Sequence, residues 1–375
     1  MKKILSVILS CLLAVCTIPC IPAYSAENKL NGWLMWHSYS DYFALDSKLH
    51  VKSPDGKTKE ITGDFKHAMN GDFGNSPDEI VFMAIDNVND EWDVYLYRSG
   101  VITNLTPNSG FRNEDPKFSP DGKTITFKRG FWSNTENDFV YNIAVLDLEN
   151  NEIEMLTDDV YEQAMPFFSS DGKYIYYTDY TNNPGSIRRL KLEDKSTETV
   201  YSETDVCAYY PIISGQDLYF AKWYSAENHT DMIIRFDGES FSEMPFNSVE
   251  YNCSDPCLVY ENGMIYSGTQ NGNYDLYYFD GEKSQPIDDV NTDLNELGAM
   301  FFPCKEESVK GDVNADGQFT VADFVIMQKW LLAVPDVRLN NCEAGDLCKD
   351  KRINIFDLCL MRKLLIESSS QDTFD

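Results

Sequence analysis

A strand–turn–strand unit returns about every 45 residues through most of the 375-residue chain, and this repetition limits the fold more than any single motif does. The clearest copy is Asp115-Pro116-Lys117-Phe118-Ser119-Pro120-Asp121-Gly122-Lys123 running into Thr124-Ile125-Thr126-Phe127. It returns as Met165-Pro166-Phe167-Phe168-Ser169-Ser170-Asp171-Gly172-Lys173, followed by Tyr174-Ile175-Tyr176-Tyr177. Worn copies start at Asp72, Tyr210 and Asp255. Each joins a short strand to an alternating apolar strand through a tight polar turn, which is the pattern of a β-hairpin. A second hairpin follows the first, as where residues 94–97 turn into 101–105. Four strands per repeat at this spacing predict the blade of a β-propeller. An open sandwich of hairpins would not keep so even a period.

Five blades centre near Ile80, Ile125, Ile175, Leu218 and Ile265. Only three strands precede them (33–38, 48–52 and 58–61), and one lone strand, 297–303, follows. Together these make a sixth blade shared between the two ends, which closes the ring and leaves no open strand edge. The expected fold is therefore mainly β: a six-bladed propeller over residues 30–303, then a small α-helical calcium-binding unit. The Ser-Pro-Asp-Gly-Lys turns resemble those of the TolB-like propeller family. That resemblance covers most of residues 30–303 and bears on fold, since one fold hosts many functions.

A second, shorter repeat occupies the C-terminal end. Asp312-Val313-Asn314-Ala315-Asp316-Gly317-Gln318-Phe319-Thr320-Val321-Ala322-Asp323 recurs from Asp346 to Asp357, each time leading into an apolar run. A hard cation such as Ca²⁺ needs six to eight oxygen ligands, and a twelve-residue loop supplies them from alternate positions. In the first loop Asp312, Asn314 and Asp316 converge and Gly317 allows the sharp turn. Gln318 offers its carbonyl, Thr320 acts through a water, and Asp323 closes the shell at the twelfth position. In the second loop Asp346, Asp350, the Arg352 carbonyl, Asn354 and Asp357 remain, but Cys348 replaces an oxygen donor and Lys351 replaces the glycine. A thiol suits Ca²⁺ poorly. Two calcium sites are expected, the second weaker.

Residues 311–366 resemble a type I dockerin, and the run Phe356-Asp357-Leu358-Cys359-Leu360-Met361-Arg362-Lys363 resembles the ruminococcal kind. The resemblance implies calcium-dependent binding to a cohesin domain on a scaffoldin. It also implies that loop positions 10 and 11 help choose the cohesin: here Val321 and Ala322, then Ile355 and Phe356. The two pairs differ in size, which argues against interchangeable two-way docking. Their apolar character suits a buried contact core.

Sixty-one acidic against 31 basic residues give a formal charge of −30, a poor match for nucleic acid or for an anionic membrane surface. Lys2 and Lys3, an apolar run and Ala23-Tyr24-Ser25-Ala26 predict a secretory signal peptide over residues 1–25, with cleavage after Ser25 or Ala26. No later stretch is long and apolar enough for membrane insertion. Together with the dockerin resemblance this implies an extracellular protein of a cell-surface cellulosome. Seven cysteines remain beyond the leader, scattered and odd in number, which does not read as a disulfide framework. Residues 304–310 are a short linker and 367–375 a polar tail expected to be disordered.

In a propeller, loops between the second and third strands share one face with the loops between blades. This assignment gathers Trp36, Tyr39, Trp92, Trp132, Tyr180, Trp223 and Tyr274 as candidate glycan contacts, while the inter-blade loops add His67, Arg112, Glu114, Glu162 and Tyr209. Aromatic rings stack on the apolar faces of sugars, and acids and amides bind their hydroxyls. The alternative is that these rings pack between blades, since aromatics favour strands anyway. No motif identifies catalytic residues or an organic cofactor. The expected function is a cellulosomal component whose propeller binds plant cell-wall polysaccharide. The alternatives are a glycoside hydrolase or polysaccharide lyase, or a protein-interaction platform.

Overall fold

The computed structural model describes residues 30–371 except 89, 182–183, 225–229, 261, 305–308, 336 and 351. The expected leader (1–25) lies outside the described residues, as do 305–308 of the linker and 372–375 of the tail.

Residues 32–303 form six four-stranded antiparallel sheets. The first blade takes its innermost strand, Asn295–Pro303, from the far end of the domain and pairs it with Gly32–Tyr39, Lys48–Lys52 and Thr58–Glu60. In the other five blades the innermost strand comes first in sequence: His67–Phe73, Arg112–Phe118, Gln163–Phe168, Val206–Ser214 and Cys253–Val259. Each inner strand touches the next, and the last touches Asn295–Pro303, so the ring closes as the shared sixth blade requires.

The core is six seams, one between each pair of neighbouring blades. The seam joining the last blade to the first holds Leu34, Trp36, Cys257, Ile265 and Leu276. The next holds Met35, Leu49, Phe73, Ile80 and Phe82. Strands inside a blade therefore bury both faces, which explains runs such as Glu79–Ile85, where six consecutive apolar residues are buried. Outer strands such as Thr58–Glu60 and Ser284–Pro286 are short and exposed, which limits pairing with other chains.

One local device repeats in all six inner strands. At Asn70, Asp115, Met165, Tyr210, Asp255 and Gly298 the backbone turns to positive φ, between 49° and 61°, and the strand register slips. These are β-bulges, and the prolines after four of them (Pro116, Pro166, Pro211, Pro256) sit where a missing N–H does least harm. The second blade's copy of this unit thus starts at Asn70, two residues before the Asp72 that the sequence suggested. The bulged residues fill the axis: Asn70 Nδ2 donates to Asp115 Oδ1 at 2.7 Å, and Lys117 Nζ donates to the Gly71 carbonyl at 3.1 Å.

The C-terminal unit holds helices α1 (Val321–Leu331), α2 (Cys342–Gly345) and α3 (Ile355–Gln371). Its core is two matched sets 34 residues apart, Val313 with Leu347, Phe319 with Ile353, Phe324 with Leu358 and Met327 with Met361. Helix α3 runs through Gln371, so residues 367–371, expected as disordered tail, are helical. Glu367 and the serines after it contain no Pro or Gly to stop the helix.

Gly298 separates two costs of a side chain at positive φ. A Cβ there would lie 2.6 Å from His37 Cε1, whereas Gly215, also at φ 61°, has open space around it. Replacing Gly215 by Ala should cost about 1 kcal/mol. Gly298→Ala should cost roughly 2–3 kcal/mol, because the blade-closing strand must also shift. Urea midpoints of the two variants would measure the difference.

Candidate functional sites

The two C-terminal loops share four backbone-to-carboxylate hydrogen bonds. Asn314 N and Cys348 N donate to Asp323 Oδ1 and Asp357 Oδ1 at 3.2 and 3.1 Å. Thr320 N and Asn354 N donate to the second oxygens of the same carboxylates at 2.8 and 2.9 Å. Asp316 N and Asp350 N donate to Asp312 Oδ1 and Asp346 Oδ1, and Gln318 N and Arg352 N donate to Asp316 Oδ1 and Asp350 Oδ1. Position 4 is left-handed in both, at Ala315 and Lys349. Asp323 is fully buried and completes a capping box with Thr320 at the start of α1, so the residue that closes the loop also starts the helix.

The donor sets differ. Asp312, Asn314, Asp316, the Gln318 carbonyl, Thr320 and Asp323 are all hard oxygens, the chemistry that Ca²⁺ requires. Gly317 takes φ +83° at the sharp turn. In the second loop the Cys348 thiol lies with Asp346 and Asp350, their ligand atoms within 4.8 Å of one another. It is the only such grouping of His, Cys, Asp and Glu among the described residues. Val321, Ala322, Ile355 and Phe356 all stand exposed at the first turns of α1 and α3, Phe356 at 70%.

On the propeller, the structure divides the candidate glycan residues. Trp36 lies in the seam between the last and first blades, stacked on His50. Trp92 packs on Met69, Met83 and Ile85 with its ring 4.9 Å from His67. Both are buried and offer no face to a ligand: seam packing, the alternative weighed for them, claims these two rings. Trp132 is half exposed and Trp223 partly so, the first edge-on to Phe139. Tyr39, Tyr180 and Tyr274 remain partly exposed.

Around the axis the inter-blade residues meet in a charged cluster. Lys128, from the second strand of the third blade, reaches Glu114 Oε2 and Glu162 Oε1, each at 3.1 Å, and Asp115 at 3.7 Å. Its ammonium lies 4.6 Å from the centre of the Tyr141 ring. Burial opposes this charge, but Asp115, Glu114 and Glu162 outweigh it and hold the ammonium well above its ordinary pKa. Arg112 pairs with Glu114 at 2.9 Å. Sequence reasoning missed Lys128 and Asp115: both sit in strands, where nothing in the local pattern marks them as facing the axis.

Tyrosines from other blades complete the ring. Burial raises the Tyr42 hydroxyl's pKa, and Glu114 and Asp115 add to the shift, so this first-blade loop reaches the third-blade cluster. Burial also raises Tyr274, aided by Asp231, Asp255 and Tyr39, and its hydroxyl donates to Asp231 Oδ2 at 3.5 Å. Tyr209 shifts the same way for the same reason, with Asp231 and Asp255 nearby. Tyr180 does so beside Cys207 and Glu162.

Two histidines stand at this ring and stay neutral. Burial lowers His67 to about 4 and His37 to about 3, the latter also through His67 and Lys117. His67 Nδ1 accepts from Ser47 N at 3.0 Å, which puts the proton on Nε2, and that nitrogen is buried without a partner among the described residues. His37 Nδ1 is likewise unpartnered among the described residues.

Comparison with known proteins supports both halves separately. Residues 310–366 match the Dockerin type I domain family, so the C-terminal unit is a type I dockerin domain; such domains generally bind calcium and a cohesin partner and occur in secreted cellulosomal components. The propeller is similar to TolB from Acinetobacter baumannii, with a TM-score of 0.59 at 15% identity over 74% of this chain and 68% of that one. It is equally similar to hydrazine synthase from Kuenenia stuttgartiensis, TM-score 0.59 at 12% identity over 72% of this chain and 46% of that one. At these identities the likeness concerns the fold alone. An uncharacterised protein of Agrobacterium fabrum is 27% identical over 174 residues, 44% of this chain, and the chain covers 56% of that relative's length. No helix among the described residues is long and apolar enough to cross a membrane.

Asp255 makes the axis pH-sensitive. Burial raises its carboxyl from 3.8 to about 6. The folded state thus holds a proton that the unfolded chain releases near 3.8, so this group's contribution to stability is largest below that pH and is lost as pH rises toward 6. Relative to Asp255→Asn, the unmodified protein should lose on the order of 3 kcal/mol across that window and then level off. Unfolding midpoints of the pair at stepped pH test this.

Proposed function

We propose that this chain is a secreted, cell-surface cellulosomal component whose dockerin holds it on a scaffoldin and whose propeller binds plant cell-wall polysaccharide without cleaving it. The observation that carries the docking half is the pair of loops matched in backbone hydrogen bonding, each ending where exposed apolar side chains begin. Asp312, Asn314, Asp316, Gln318, Thr320 and Asp323 would hold one calcium ion; Asp346, Asp350, Arg352, Asn354 and Asp357 would hold a second, more weakly because of Cys348. The ion supplies the positive charge that lets clustered carboxylates share one small space. The protein's own part is to fix the starts of α1 and α3, and so to present Val321, Ala322, Ile355 and Phe356. Phe356 has no bulky counterpart in the first motif, where Ala322 stands, which favours one docking orientation over its reverse.

For the propeller, the reading rests on the ring of tyrosines around buried carboxylates and Lys128. The axis below is filled by side chains, so a ligand would lie across the mouth. Tyr39, Tyr180 and Tyr274 offer partly exposed rings with carboxylates beside them, the combination that suits a polyhydroxylated ligand.

Chelator should abolish cohesin capture by the full chain, and Asp312→Ala should weaken it more than Asp346→Ala; capture unchanged in excess chelator refutes the calcium reading. Ile355→Asp or Phe356→Asp should weaken capture at least tenfold if these side chains are anchors, as titration against a cohesin panel would read. Incubating the full chain with plant polysaccharides, while following retention, reducing ends and ultraviolet absorbance, separates the propeller readings. Retention without products supports binding, products identify an enzyme, and silence in all three favours a protein-interaction platform.

A further inference from the structure

A groove of about 810 Å³ lies on the third blade, lined by residues of its strands and flanking connections, none of them from the tyrosine ring. Phe111, from the connection between these blades, and Phe131, from the third blade's second strand, meet edge-on with centroids 6.5 Å apart. Phe131 is 42% exposed. Arg129 lies between them in sequence position and face, with its guanidinium 4.1 Å from the Phe111 ring centre.

The charge state of Arg129 sets it apart. The propeller's other five arginines each have a carboxylate within ion-pair distance: Arg98 with Glu79, Arg112 with Glu114, Arg188 with Asp179, Arg189 with Glu198 and Arg235 with Asp217. Among the described residues Arg129 has none, in a chain where acidic residues outnumber basic ones by 61 to 31. The carboxylate whose field reaches it, Asp93, already accepts from Thr106, Asn104 and Asn113. A half-buried guanidinium over an aromatic ring, without a carboxylate partner, keeps donors free for a planar anion. On the rim near Arg129, the Asp158 side chain makes no hydrogen bond within the described protein, whereas Asn151 lies at the far turn of the groove beside Asp147.

We infer that this groove binds a carboxylate-bearing sugar, a uronic acid unit, with Arg129 gripping the carboxylate, Phe131 under the ring and Asp158 on its hydroxyls. One fork for the anion, one open aromatic face and an unpartnered polar rim group answer the three parts of such a residue. An acidic peptide would use the fork but leave the aromatic face and the rim acid without a purpose. Asp158 would repel a second carboxylate nearby, which favours a single uronate in the groove at a time. The site is separate from the mouth and takes only its ligand class, polysaccharide, from the proposed function.

The test uses the full chain in affinity electrophoresis against polygalacturonate, its fully methyl-esterified form, a neutral xylan and polyglutamate. Retardation by polygalacturonate but not by the methyl ester is expected. Arg129→Gln and Phe131→Ala should each weaken it at least tenfold, and Arg129→Lys should retain part of it. Phe131 is exposed enough that its loss should leave the unfolding midpoint in place, so a null result there is not a folding failure. Unchanged retardation in both variants overturns the inference, as does equal retardation by the methyl ester or by polyglutamate. Retention on xylan with none on polygalacturonate overturns it while leaving the mouth reading intact. Uronate binding that survives Tyr274→Ala, with no retention on xylan, does the reverse; no binding to any glycan ends both.

Discussion

Closure of the ring by Asn295–Pro303 is the contact on which the propeller depends. That strand lies innermost in the first blade and pairs with Gly32–Tyr39 across the whole length of the domain. Without it the first blade would be three strands with an open edge, and the seam holding Leu34, Trp36 and Leu276 would lose Ala299 and the packed Phe301. Burial in the six seams is worth some 25 cal/mol per Å² of apolar surface, and a ring leaves no blade with an uncovered face. The join is reinforced at its rim: Asn295 Nδ2 donates to the Tyr39 carbonyl at 3.4 Å and Cys304 N to the Asn31 carbonyl at 3.0 Å.

A closed ring fixes what happens at its axis. Six inner strands converging there bring side chains closer than ordinary pleating allows, and the bulge in each strand turns one residue inward. Where that residue is Asn70, Asp115 or Asp255 the axis becomes polar and desolvated, and carboxyl groups such as Asp72 and Asp255 are pushed up to about 6. The same convergence draws Glu114, Glu162 and Lys128 into one cluster. Lys128 costs desolvation that Glu114, Asp115 and Glu162 offset, an arrangement that breaks badly if one partner is removed. The charged mouth is thus a product of how blades meet at the axis, whereas the Arg129 groove lies on a single blade.

The dockerin solves a different problem with little core. Its few buried side chains come in two matched sets, and Asp323 and Asp357 each tie a loop to the helix that follows. A unit this small commonly needs a metal to fold stably. Duplication also explains the unequal loops: once two copies exist, Cys348 can enter one while the other keeps its full oxygen set.

Period and pattern alone determined the blade count, the shared first blade and the two loops, because hairpin turns and calcium-loop positions are local properties of the chain. Val321, Ala322, Ile355 and Phe356 were singled out through the dockerin resemblance, and the structure places all four exposed at the helix starts. Which aromatics face solvent was decided only in three dimensions. Trp36 and Tyr39 are three residues apart on one strand and so face opposite sides of it: the first packs in the seam with the last blade, the second against the Met69 and Trp92 cluster of the second blade at the mouth. Nothing near Lys128 in sequence marks it as the partner of Glu114 and Glu162, because those contacts cross from one blade to another. Asp93 spends its bonds on Asn104, Thr106 and Asn113, and only that tertiary accounting leaves Arg129 without a counter-ion.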